Sequence, residues 1–481
     1  MRIHQWRLTA VTMALSAIVL SGCLSSGDSD SDEPAPVTPE VPEVTREHDE
    51  RSFTAELPAT LPAALAGARI YFGEYEGLQG AALYSFEVPE GWDGDGLIMW
   101  TRGYGGENLK LGLSMPGAAW RQAVIDAGYA WAASSYSANW YDARAGIEDT
   151  NKLALNIMEY VERDYSQRLP APSQYLISGA SLGGHIAAAA VDRENMERTQ
   201  FKVNYAGAAP LCQAEQNQFQ WLGDYPRVMM ELSGFGDRDY SEFQELLPEM
   251  VSTLFTMNGT TPNWLDPRGQ EGERLIAIAR NLTGGERPIF ENGFASSFQN
   301  VVLATGGRTG DVNGILAGNG YGNVDQVYRW TNDPEPDAEE IEFNERIARV
   351  SADPDANPLR DDGVRWIPLV NGDFDVPVLT MHTLGDFYVP FRHQQLYREG
   401  AQENGNDNLL VQRAIRAPSH CDFSAGEYRE LVEDWLAWVN GDVVTDKPDG
   451  DEVLDPTVVA DSNYGCDFTV GQRPGLRACP L

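Results

Sequence analysis

The run Gly179-Ala-Ser-Leu-Gly183 sets a hydroxyl between two glycines where two kinds of element meet. Tyr175 to Ser178 is a short apolar run suited to a buried parallel strand, and His185 to Val191 reads as a helix of small residues. Residues 179 to 184 must therefore reverse the chain sharply. The flanking glycines remove Cβ atoms that would collide around a serine held in a strained conformation. Ser181 Oγ then stands exposed over the start of a helix, as a nucleophile for an acyl carbon must. The Leu182 N–H, at the positive end of that helix, supplies half of a hole for the oxyanion that forms. An ordinary tight turn is the competing interpretation in a chain with 47 glycines. The strand before and the helix after favour the nucleophile.

In that strand-turn-helix context Gly-x-Ser-x-Gly resembles the nucleophile elbow of the α/β-hydrolase superfamily. The resemblance covers residues 68 to 212 and 376 to 440. It implies an α/β fold, a mostly parallel doubly wound sheet with a large lid-like insertion, and acyl hydrolysis that needs no metal or organic cofactor. Arg102-Gly-Tyr-Gly-Gly106 follows an apolar run that begins at Gly96, and it resembles the superfamily's second oxyanion loop. That implies the Tyr104 backbone N–H as the second donor, although Arg102 stands where histidine is frequent. Gly385-Asp386 ends the strand Val378 to Met381, with Val389-Pro390 just beyond, and resembles the loop of the catalytic acid. Asp386 is the implied acid, because Asp373 and Asp375 lie near the wrong end of that strand.

Six histidines are available as a base. His4 falls in the leader, His48 in a polar tether, His185 in the helix after the elbow, His382 within a strand and His393 on the helix beyond Asp386. His420 remains, in the loop after the last strand, Leu409 to Ile415, where this fold places its base. A capping box, Ser424-Ala-Gly-Glu427, starts the helix that follows and that buries Leu431, Trp435 and Trp438. The order Ser181, Asp386, His420 is the α/β-hydrolase order.

The remaining elements alternate as a doubly wound sheet requires. Ala68 to Phe72 and Ala82 to Val88 read as edge strands, Pro116 to Ala127 as a helix, Ala130 to Ser134 as a buried strand, Asn151 to Asp164 as a helix and Lys202 to Ala209 as the strand after the elbow. The loop from Ser135 lies at the carboxyl end of a parallel strand, so Tyr136, Trp140 and Tyr141 are candidate substrate contacts; surface packing is an equal reading. Residues 213 to 375 interrupt the alternation and are too long for a loop.

The chain opens with Arg2, Arg7 and an apolar run to Leu20-Ser-Gly-Cys23, an export signal too short for a convincing membrane span. Its ending resembles a bacterial lipobox, which implies lipidation of Cys23, and Leu24 in place of aspartate favours the outer membrane. A plain signal peptide is the alternative. The expected organisation is a signal at 1–22, an acidic disordered tether at 23–50, hydrolase core at 51–212 and 376–440, the insertion at 213–375 and a tail at 441–481. The formal net charge is -37, from 72 acidic and 35 basic residues. Such a surface repels nucleic acid and leaves the lipid as the one link to a membrane. Lys110, Lys152, Lys202 and Lys447 are the only lysines; adaptation to high salt and plain acidity both account for this.

Four cysteines follow Cys23, and their even number in an exported chain suggests disulfides. Cys466 and Cys479 flank a segment able to close a terminal loop, which leaves Cys212 with Cys421. Tannase and feruloyl-esterase relatives bridge cysteines beside the serine and the histidine; here Ala180 precedes Ser181, so the bridge is expected from Cys212. No Cys or His pair has metal-ligand spacing. The leading functional expectation is an exported esterase for a substrate of unknown acyl and alcohol groups. A serine peptidase of prolyl-oligopeptidase type and a non-catalytic binding protein on the same fold are the alternatives. The sequence does not specify an oligomeric state.

Overall fold

The structure, a computed structural model, describes residues 46–360, 363–441 and 447–479. The signal, Cys23 and most of the tether lie outside the described residues.

Eight strands form the central sheet: β1 (Ala68–Glu76), β2 (Ala81–Pro89), β3 (Leu97–Thr101), β4 (Ala130–Ser134), β5 (Tyr175–Ala180), β6 (Tyr205–Leu211), β7 (Val378–Thr383) and β8 (Leu410–Ile415). Their spatial order is β8-β7-β6-β5-β3-β4-β2-β1. Strand β2 runs antiparallel to β1 and to β4, while the pairings from β4 to β8 are parallel. The parallel strands read as continuous apolar runs because helices cover both faces. On one face α1 (Ala118–Asp126) brings Trp120 and Val124. On the other, α2 (Ala143–Tyr165) lays Leu153, Ile157 and Val161 beside Ile186 of α3 (Leu182–Ala190). Fully burying an aliphatic side chain of this kind stabilises by about 1.5–3 kcal/mol.

Helix α2 begins eight residues before the expected Asn151. Asp142 caps it by accepting from the Ala145 N–H at 2.9 Å. Its early turns bury Arg144, Glu148, Asp149 and Thr150, so no apolar period marks them. Asp149 accepts from the backbone N–H groups of Leu78 (2.6 Å) and Ser137 (2.6 Å). Strand β6 likewise starts at Tyr205 rather than Lys202.

Residues 213–375 build helices α4 (Gln218–Leu232), α5 (Phe243–Leu254), α6 (Gly269–Leu282), α7 (Phe290–Phe294), α8 (Phe298–Leu303) and α9 (Ala338–Arg346). They share an apolar core of their own, with Trp221, Tyr225, Phe255 and Phe294, and that core runs on into Phe387 beside Asp386. The insertion is therefore packed into the acid loop. Arg287 is fully buried and donates to the Leu384 carbonyl at 2.8 Å. A Cβ on Gly293 would overlap the Gly385 carbonyl.

One expectation for the chain ends changes. The tether was expected to reach residue 50, yet Glu47–Glu50 forms a 3₁₀ turn that buries His48. His48 Nε2 lies 2.8 Å from Asp142 Oδ2, and its N–H donates to the Gly314 carbonyl. The reason is long-range matching: the Arg51 guanidinium lies 4.5 Å from the Trp140 ring centre, a contact that local charge does not reveal. The described part of the tail, 447–479, packs onto the core. Helix α10 (Arg392–Asn404) follows the acid loop and α11 (Ala425–Asn440) follows the histidine loop. Beyond α11, Val453, Val459 and Tyr464 pack with Leu384 and Ala414, and Asp451 N–H donates to the Gln412 carbonyl of β8. Edge β8 is thus covered, as exposed strand edges need to be. Disulfides join Cys212 to Cys421 and Cys466 to Cys479.

Because the backbone at Gly385 cannot yield to a methyl group, Gly293→Ala is expected to lower the free energy of unfolding by about 1–3 kcal/mol. Chemical denaturation of the variant against wild type measures it.

Candidate active site

Strand β5 delivers Ser181 into a conformation that few residues adopt, with φ 63° and ψ -123°. Its neighbours hold it there. The Ser181 N–H donates to the Leu211 carbonyl at 3.0 Å, its carbonyl accepts the His185 N–H at 3.0 Å, and the Thr101 hydroxyl donates to the Gly183 carbonyl at 2.6 Å. A Cβ at Gly183 would strike the Thr101 backbone, so only glycine permits helix α3 to lie this close to β3. Leu182 is the first residue of α3, and its N–H has no intrahelical acceptor.

The acid and base loops are joined to each other before any side chain is considered. Gly385 N–H donates to the Ala417 carbonyl at 3.0 Å, and the Thr383 hydroxyl donates to the Ser419 carbonyl at 2.9 Å. Asp386 is buried; its Oδ1 accepts from the Tyr388 (3.0 Å) and Val389 (2.8 Å) N–H groups. Its Oδ2 lies 2.5 Å from His420 Nδ1. Two oxygens with separate tasks fix the carboxylate plane, and that plane fixes the imidazole. Tyr388 meets the His420 ring edge-on, with centroids 5.6 Å apart, and Phe298 does so at the same distance.

A serine on a strained strand-to-helix turn of a mostly parallel sheet, with an acid and a base at the ends of later strands in that chain order, decides the architecture. The chain has the α/β-hydrolase fold.

Within this fold, Ser181 opens into a cavity of about 270 Å³. Tyr104, Tyr141 and Tyr388 line it from the core; α4, α8 and the segment 308–313 line it from the insertion. Tyr141 is held by His185, whose Nδ1 lies 2.9 Å from the Tyr141 hydroxyl and whose Nε2 lies 2.7 Å from the Pro368 carbonyl. The carbonyl requires Nε2 to carry the proton, so Nδ1 accepts from tyrosine. Burial, which pushes the His185 pKa down to about 4, keeps that ring neutral.

The other two aromatic candidates stand elsewhere. Tyr136 is buried beneath Arg102, to whose carbonyl its hydroxyl donates at 3.1 Å, and Trp140 packs with Phe53 and His48. Both adopt positive φ, 56° and 62°, which turns them away from the sheet end into the protein. Arg102 is half-buried and makes no salt bridge among the described residues. It donates to the carbonyls of Ser135 (2.9 Å), Gly103 (3.1 Å) and Ala138 (3.2 Å) and to Asn139 Oδ1 (3.0 Å). It ties the glycine loop to the loop after β4. A Cβ on Gly103 would lie 3.4 Å from Ser181 Cβ, so the Tyr104 loop runs in contact with the serine.

Among the described residues no hydrogen bond joins Ser181 Oγ to His420; His420 Nε2 lies 3.4 Å from Cys421 Sγ. Ligand atoms of Cys212, His420 and Cys421 fall within 4.8 Å of one another. Both sulfurs are in the disulfide and offer no thiolate to a metal. Sequence reasoning missed Tyr388, only two residues from Asp386, and Arg287 and Phe298, which no local signal marks.

No family model matches the chain. A 64-residue stretch is 38% identical to the o-phthalyl amidase of Xanthobacter agilis, spanning 13% of this chain and 14% of that protein's length. Among solved structures the chain is similar to a mutant of the rice cell wall degrading esterase LipA from Xanthomonas oryzae, with 14% identity over 77% of this chain and 88% of the other, TM-score 0.36. It is similar also to the Pyrococcus horikoshii acylaminoacyl peptidase, with 9% identity over 78% and 41%, TM-score 0.34.

Arg102→Lys removes the planar fork that reaches four acceptors. We expect kcat to fall roughly tenfold to a hundredfold as the oxyanion loop drifts, with a smaller change in KM. Steady-state kinetics on any cleaved ester separates the two.

Proposed function

We propose that this protein is an exported serine hydrolase that cleaves carboxylic esters through an acyl-enzyme on Ser181. The observation that carries the reading is the strained elbow serine facing a cavity while the buried Asp386 holds His420 at 2.5 Å. A serine hydroxyl is a weak nucleophile near neutral pH, so His420 Nε2 takes its proton as Oγ attacks the acyl carbon. Asp386 accepts from Nδ1–H, sets the tautomer and stabilises the imidazolium. The N–H groups of Leu182 and Tyr104 receive the oxyanion. His420 then protonates the leaving alcohol, and water, activated in the same way, releases the acid. Export and lipid attachment at Cys23, with residence at the outer membrane, complete the proposal and rest on the leader sequence alone.

Amide cleavage is the second reading, supported by the 64-residue likeness to an amidase. A prolyl-oligopeptidase-type enzyme has less behind it. Among the described residues there are one eight-stranded sheet and two two-stranded ones, and no propeller.

A fluorophosphonate is expected to label wild type and not Ser181→Ala. Absence of labelling in the folded protein at low and high salt, or equal labelling of both, sinks the reading. In kcat, Ser181→Ala is expected to cost on the order of 10⁶-fold and Asp386→Asn on the order of 10⁴-fold. A panel of matched esters and amides decides which bond is cleaved.

A further inference from the structure

Two arginines line the cavity above Ser181, and they are not equivalent. Arg308 is neutralised: its Nη1 lies 2.8 Å from Glu107 Oε1 and 3.1 Å from Asn313 Oδ1. The guanidinium in turn holds the Glu107 carboxyl below its ordinary range. Arg227 has no carboxylate within ion-pair distance among the described residues. One of its N–H groups donates to the Gly223 carbonyl at 3.0 Å. Its Cζ lies over two aromatic rings, 3.6 Å from the centre of Tyr240 and 4.3 Å from that of Tyr321. The Tyr240 hydroxyl is a further neighbour.

Asp224, one turn earlier on α4, feels the Arg227 charge without forming an ion pair with it among the described residues. Its oxygens are occupied by the hydroxyls of Tyr321 (2.7 Å) and Tyr328 (2.8 Å) and by Gln220. The carboxylate is thus spent holding one of the rings that clamp the guanidinium. A clamped fork loses little freedom when it binds a second planar group, and its unused N–H groups match a carboxylate. In a chain with net charge -37, an unneutralised cation on a cavity wall opposes the general field and marks the place for an anion.

We propose that the substrate is an ester that also bears a free carboxylate, and that Arg227 binds this carboxylate. The inference rests on the esterase reading and specifies its substrate class. Position adds a constraint. Gln218 opens α4 beside the acid loop, donating to the Tyr388 carbonyl at 2.7 Å, and Arg227 lies nine residues on, roughly 13 Å along a helix axis. The carboxylate is therefore separated from the scissile carbonyl by a spacer. It belongs either to the acyl group, as in a monoester of a dicarboxylic acid, or to the alcohol.

The test compares kcat/KM for charged and neutral partners. On the acyl side these are the 4-nitrophenyl monoesters of adipic, suberic and sebacic acids, each against its methyl-capped diester. On the alcohol side they are 4-(butyryloxy)phenylacetate and its methyl ester. Wild type is expected to favour the carboxylate at least about tenfold in one arm, which names the side. Arg227→Gln is expected to bring that ratio close to one, and Arg227→Lys to retain part of it. A ratio near one in both arms with wild type overturns the proposal, as does a preference that survives Arg227→Gln. Calorimetry with suberate reads the anchor without turnover: wild type is expected to bind it and Arg227→Gln to bind at least about tenfold more weakly. No binding by wild type overturns the anchor. Binding without cleavage of any ester leaves the anchor standing and removes the esterase reading instead.

Discussion

The contact between the end of β3 and the first turn of α3 governs this molecule. A serine at φ 63° is strained by something of the order of 1–3 kcal/mol, and it persists only if its surroundings over-determine it. They do so through backbone groups: Leu211 accepts from Ser181, Ser181 from His185, and the Thr101 hydroxyl reaches the Gly183 carbonyl. Since none of these is a long flexible side chain, Ser181 is placed by the sheet itself. The Tyr104 loop leaves the same strand end, so serine and loop share one reference frame. Arg102 then fixes the loop with four hydrogen bonds to neutral acceptors.

The insertion extends this logic. Its helices bury aromatic side chains against Phe387, and Arg287 takes the Leu384 carbonyl, so the segment carrying Asp386 is clasped from both sides. On the other flank the tail's Arg473 reaches the Asp422 carbonyl and Glu427, close behind His420. A roof that only covered the cavity would need neither contact. This one packs against the Asp386 loop while its helices α4 and α8 line the cavity.

The sequence is informative wherever the deciding physics is local. Gly179, Ser181 and Gly183 announce a turn because glycine is the only residue that tolerates the approach. Gly385-Asp386 sits at a strand end for the same kind of reason, and His420 emerges because few histidines compete. The two disulfides follow from counting. What stayed hidden depends on partners far along the chain. The first turns of α2 bury Glu148 and Asp149, which a hydropathy pattern assigns to solvent. Tyr136 and Trp140 have the right composition for a site and the wrong backbone direction. Arg227 is one of many arginines in a segment whose folding is set by long-range contacts, and only its clamp of two rings singles it out.

The short stretch before β1 has a practical meaning. His48 sits against Asp142, the residue that caps α2, and its backbone is bonded to Gly314, next to the cavity wall. Anyone shortening the chain from its N-terminal side will be tempted to cut at the first strand of the sheet. Beginning at Ala68 would strand Asp142 in the interior with its histidine gone and uncover one side of Trp140. Screening libraries or crystals grown from such a shortened protein would then report on a pocket whose far wall had lost its brace.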